Sequence, residues 1–152
     1  MVVDNPVVQN HPAMPAPTVY TLDENIAAFF LDAAPAQRHL CDEWAKAHYT
    51  NFQPAALQGQ FSYTLVAEAE SVVIQFRRVD SLLDLSICNL ACSIHGNVVP
   101  NIQSHGQLTP ELAIYVQELK EGLPYIFLRE LKSALSDGSL RLREKIVADF
   151  AR

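Results

Sequence analysis

The sequence predicts an α+β fold: a five-stranded antiparallel sheet with one packed helix, preceded by two helices and followed by C-terminal helices. Three observations predict it. Val72, Ile74 and Phe76 alternate with Val73, Gln75 and Arg77, the period-two pattern of a half-buried strand. Residues 20–50 place apolar side chains at helical spacing behind a Thr21–Glu24 start signal. Finally, the stretches follow one another as two helices, three strands, a helix, two strands, a connector and helices.

In chain order, residues 1–19 hold Pro6, Pro12, Pro15 and Pro17, which exclude a helix and predict an extended or disordered lead-in. Thr21 and Glu24 open an apolar helix through Ile26, Phe29 and Phe30 to about Ala34. Pro35 suits the first turn of a second helix, with Leu40, Trp44 and Ala47 on one face, ending near Tyr49. These aromatic residues read as packing, and His39 and His48 as surface or half-buried positions. Next come an apolar run ending at Gln58-Gly59 and a strand from Ser62 to Ala67. A polar reversal at Glu68–Glu70 leads into a strand from Ser71 to Arg77. Asp80 opens a helix with the apolar set Leu82, Leu83, Leu85, Ile87, Leu90, Ala91 and Ile94, and Gly96 suits a left-handed cap. Asn101–Gln107 is a weak strand, Leu108–Glu111 a turn and Leu112–Gln117 a strong strand. A connector reaches Pro124, a helix runs from about Tyr125 to Leu135, and an amphipathic segment from Leu140 closes the chain. The expected organisation is a lead-in at 1–19, a helical pair at 20–50, the sheet at 51–122 and helices at 123–152.

The bulk numbers narrow the function classes. A chain of 152 residues, 49% apolar and 18% charged, suits one globular domain. A net charge of −6 and no basic stripe argue against a nucleic-acid surface, although a few local cations suffice for one nucleotide. Cys41, Cys88 and Cys92 form neither a disulfide framework nor a metal-ligand spacing, and read as small buried hydrophobes in a reducing, cytoplasmic setting. No apolar run has the length of a membrane span, and the N-terminus lacks the basic and apolar regions of a secretory signal. Neither a membrane nor a nucleic acid is therefore an expected partner.

The segments QGQFSYTL (58–65), VVIQFR (72–77), LDLSICNLACSIHGNVVP (83–100) and IYVQELKEGLPY (114–125) occur in that order. Together they resemble the N-terminal lobe of the aminoglycoside phosphotransferase family, the choline-kinase-like small-molecule kinases, and most of all its branch common in filamentous fungi. REKIVADFAR (143–152) is similar to the start of that family's C-terminal lobe, so the likeness runs from about residue 50 to the end.

The resemblance implies a kinase-like N-lobe with ATP and magnesium as cofactor and no tightly bound group. It places Gly59, Gln60 and Ser62 over the nucleotide phosphates. Gln75 and Arg77 fall on the strand that holds the phosphate-pairing cation. Gln117, Glu118 and Leu119 form the hinge whose backbone meets adenine. Departures accompany it. Gln75 stands where the family puts a basic residue, leaving Arg77 on the same face to substitute with a different geometry. Ser86 stands where a glutamate would orient that cation, with Asp84 nearby. No HGDxxxxN loop with a later Asp follows, and His95-Gly96-Asn97 reads as a helix cap. No catalytic residue and no metal ligand is therefore assigned.

The expectation is a truncated phosphotransferase-like protein, inactive as this chain, that retains weak nucleotide binding. Two alternatives stand beside it. One is an interaction or self-assembly module, with a homo-oligomer or partner chain covering the exposed lobe face near Leu140, Ile146, Val147 and Phe150. The other is half of a small-molecule kinase whose catalytic lobe lies elsewhere. Each site residue also has a plain reading: Gly59 as a hairpin turn, Gln75 and Arg77 as the solvent side of a sheet.

Overall fold

The alternating stretch forms the middle strand of the sheet, and the other elements assemble around it. The computed structural model describes residues 20–33 and 37–122. The expected lead-in at 1–19 and the helices expected over 123–152 lie outside the described residues. The elements are α1 (Leu22–Ala33), α2 (Arg38–His48), β1 (Gln53–Pro54), β2 (Ser62–Ala67), β3 (Val72–Arg78), α3 (Leu85–His95), β4 (Ile102–Thr109) and β5 (Leu112–Glu118). The five strands form one antiparallel sheet in the order β1-β2-β3-β5-β4. The architecture is thus α+β, with α3 in the crossover from β3 to β4.

Strand register sorts the side chains onto two faces, because directly paired residues point the same way. Tyr63 pairs with Phe76 and Phe76 with Ile114, while Leu65 pairs with Ile74 and Ile74 with Val116. All six are buried, and they join Ile26, Phe29 and Phe30 of α1 and Cys41 and Ala45 of α2 in one core. Aromatic rings run through it without a break. Phe29 meets Phe30 at 5.0 Å, Phe30 meets Tyr63 at 5.1 Å, Tyr63 meets Phe76 at 6.1 Å and Phe76 meets Trp44 at 5.9 Å. These spacings fall in the favourable range for aromatic pairs. The helical pair and the sheet therefore share a single core.

The sheet is packed by α1 and α2, whereas α3, expected as the packed helix, buries none of its residues. The reason is chemical: the first two helices supply the bulky rings that fill the Tyr63–Phe76 face, and α3 has no aromatic residue. On α2 the buried face is Cys41 and Ala45, with Trp44 packed at its margin, rather than the expected Leu40–Trp44–Ala47 stripe. Small residues at the contact bring that helix close to the strands. The α3 helix begins at Leu85, later than the expected start at Asp80. A 3₁₀ turn occupies Val79–Ser81, and Asp84 is the N-cap, accepting from the backbone N–H groups of Ser86 and Ile87. Gly96 ends α3 at φ 59°, the positive region expected of it, and its N–H donates to the Cys92 carbonyl.

The first strand also differs from its expected place before Gln58-Gly59. Only Gln53 and Pro54 pair with β2, opposite Val66 and Leu65. Beyond them the side chain of Gln58 stands in for a strand. Its Oε1 accepts from the Thr64 N–H at 2.8 Å, and its Nε2 donates to the carbonyls of Thr64 and Ala55, each at 2.9 Å. Gln58→Ala leaves these partly buried backbone groups without that partner, so a loss of about 1–3 kcal/mol is expected in urea unfolding. An unchanged midpoint would show that the amide is dispensable.

Candidate functional site

The second sheet face is polar where the first is apolar. Ser62 pairs with Arg77 and Arg77 with Ala113, while Thr64 pairs with Gln75 and Gln75 with Tyr115. Ser62, Gln75 and Arg77 are thus brought side by side, and they gain two neighbours that motif reading missed, Thr64 and Tyr115. A two-residue step from Ser62 along a strand is the signal that could have found Thr64.

Arg77 is the one cation among these residues, and it is half-buried. Its Nε donates to the Ser81 carbonyl at 3.0 Å and its Nη1 to Gln75 Oε1 at 3.4 Å. Both acceptors are neutral. The ion pairs among the described residues are Arg38–Asp42, Arg78–Asp80 and Lys120–Glu118, so no described carboxylate compensates Arg77. The 3₁₀ turn between β3 and α3 thus fixes the direction of the guanidinium and leaves its charge unmatched. Asp84, the nearby carboxylate weighed from sequence, is committed to the start of α3. Its carboxyl is held below the usual range by the Ser86 hydroxyl and by the N–H groups of Ile87 and Ser86.

The remaining predicted residues are distributed around this group. Gly59 forms an isolated bridge with Ser62, so the turn between them holds only Gln60 and Phe61, both exposed. A Cβ placed on Gly59 would stand 3.4 Å from Ser62 Oγ, ordinary contact, so the backbone there does not demand glycine. Ser62 is buried, and its hydroxyl lies 3.2 Å from that of Thr64. Gly59 and Gln60 also border an open cleft of about 460 Å³ between the start of α1 and residues 57–60. At its mouth the Gln58 N–H donates to the Tyr20 hydroxyl at 2.8 Å.

Gln117 and Glu118 pair with Val73 and Val72, at the other end of β3 from Arg77. Four residue steps along the strand lead from Val73 to Arg77, roughly 13 Å. The Glu118 N–H donates to the Asn101 carbonyl at 3.2 Å and the Leu119 N–H to the Ser71 carbonyl at 2.8 Å. Both N–H groups thus already have acceptors within the fold. Glu118 is exposed, and its carboxyl is held below the usual range by Lys120, 2.6 Å away, and by the Asn101 N–H.

No protein-family model, curated protein or solved structure matches this chain. The chemistry of the polar face therefore rests on its own geometry. A half-buried guanidinium with neutral acceptors on two of its nitrogens suits an anion, which gains charge-assisted hydrogen bonds from its remaining donors. The same face does not suit a divalent cation. Among the described residues no group of three or more His, Cys, Asp or Glu gathers to hold a metal, and the polar face presents Ser, Thr, Gln, Tyr and Arg.

Proposed function

We propose that the chain is a phosphotransferase-like, kinase-type N-lobe that binds a nucleotide by its phosphate end at Arg77 and does not itself carry out phosphoryl transfer. The observation that carries this reading is the uncompensated, half-buried guanidinium on the central strand, paired directly with Ser62 beside the Gly59–Ser62 turn. Two further features support it. The described elements follow the order of three strands, a helix and two strands on which the family resemblance rests. The roughly 13 Å of strand between the level of Arg77 and that of Gln117 also suits an extended nucleoside triphosphate, with its base toward residues 117–119.

Magnesium enters this reading only through the resemblance, and no step is assigned to it. Transfer would need a carboxylate to orient the acceptor hydroxyl and oxygen ligands for the metal. The described residues on the polar face offer no carboxylate for either role. Binding is therefore expected to be weak and independent of magnesium.

Thermal unfolding with increasing ATP tests this. Saturation to 100 times Kd stabilises by about 2.7 kcal/mol. The expected result is a rise in Tm that persists when EDTA removes magnesium and disappears in Arg77→Gln. A flat response, or a rise that Arg77→Gln leaves intact, would remove the reading.

A further inference from the structure

The surface of α3 has an unusual composition for an exposed helix. Ile87, Leu90 and Ile94 lie at i, i+3 and i+7, on one stripe, and are 64%, 58% and 65% exposed. Leu82 before the helix and Val98 after it are exposed as well. From Leu85 to Pro110 the chain contains no Asp, Glu, Lys or Arg, although 18% of all residues are charged. The charge-free run begins immediately after the Asp84 cap and stops immediately before Glu111. An apolar stripe on a charge-free element is a surface that water hydrates poorly.

We propose that this face of α3 is a homodimer interface, in which the stripe of one copy packs against the same stripe of a second. Charge favours a copy meeting here. Each chain carries a net charge of −6, so two copies repel, and the repulsion is least where neither presents a charge. Area favours it too. The three residues of the stripe offer roughly 350 Å² per copy, and Leu82 and Val98 at its two ends extend it toward the low end of specific interfaces. A helix stripe is also self-complementary across a two-fold axis, as an isologous contact requires. Disulfide exchange need not enter, because apolar burial alone drives the association. This inference stands apart from nucleotide binding, since Arg77 lies on the sheet and no residue of the stripe contributes to its site.

Light scattering and sedimentation on the full chain test it under reducing conditions. The expected mass moves with concentration toward twice the 16.9 kDa of one chain. Leu90→Lys, at an exposed position, should return the protein to monomer while leaving its circular dichroism unchanged. A monomer at every concentration up to about 200 μM, far above the ~1 μM Kd of a modest interface, would overturn the proposal. So would a dimer that Leu90→Lys leaves intact. A monomer whose Ile87 and Ile94 methyl groups are shielded from a paramagnetic solvent probe would place another segment of the chain on the stripe, and would equally overturn it.

Discussion

Phe76→Ala is expected to destabilise the protein by about 3–5 kcal/mol, a large fraction of a typical 5–15 kcal/mol total. Phe76 is fully buried on the central strand, with Tyr63 and Ile114 as its cross-strand neighbours. It is also the ring that links Tyr63 to Trp44, and so joins the α1 side of the aromatic column to α2. Removing it deletes buried surface and opens a cavity at the point where both helices meet the sheet. The rings that touch it, Tyr63 and Trp44, come from two separate elements, so they cannot close the gap together. Phe76→Leu retains most of the volume and should cost far less. Trp44 is the single tryptophan and touches Phe76, so its fluorescence in a urea titration reports the loss directly. A Phe76→Ala cost below about 1 kcal/mol would mean that the helices do not depend on this column.

The second large effect is alkaline. Burial, with the Asp42 carboxylate adding to it, pushes the Cys41 thiol from 9.0 up to about 12. Burial also pushes the Tyr63 phenol up, and so does its hydrogen bond to Asp42 Oδ1 at 2.9 Å, although Arg38 opposes this. Both groups are held neutral by the fold. The unfolded chain releases their protons at lower pH than the folded chain does, so Cys41 contributes stability that is complete below about pH 9 and is lost as pH climbs toward 12, while the loss from Tyr63 begins only above its ordinary value of 10.0. A shift of this size corresponds to roughly 4 kcal/mol for Cys41 at the far end of the window. Urea midpoints should therefore hold steady to about pH 9 and fall progressively above it. Cys41→Ala should flatten that fall whatever it does to stability at neutral pH. A midpoint that stays level from pH 8 to 11 would contradict the buried placement of both groups.

The parts of the fold that were legible in the sequence are those set by local periodicity and single backbone requirements. Val72, Ile74 and Phe76 fixed a strand and its buried face, and Gly96 marked a positive φ at the end of α3. What the sequence hid depends on distant partners. Gln58 replaces backbone with side chain, which no alternation pattern can reveal. Asp80 and Asp84 both precede apolar residues and offer equal helix starts, and the 3₁₀ turn at Val79–Ser81 decides between them. The periodicity of α3 shows a stripe but says nothing about what covers it. The candidate site was legible as a set of residue types and not as a group. Only register puts Ser62 beside Arg77, moves Gln117 to the far end of the strand and separates Gly59 from a phosphate-sized loop.

Amide-resolved NMR during titration of the full chain with ATP distinguishes an anion site at Arg77 from binding elsewhere on the chain. Saturating shifts are expected at Ser62, Gln75, Arg77 and Ser81, weaker ones near residues 117–119, and the same pattern with magnesium absent. Shifts confined to the Tyr20–Gln60 cleft, or no saturating shift at Arg77, would contradict that site.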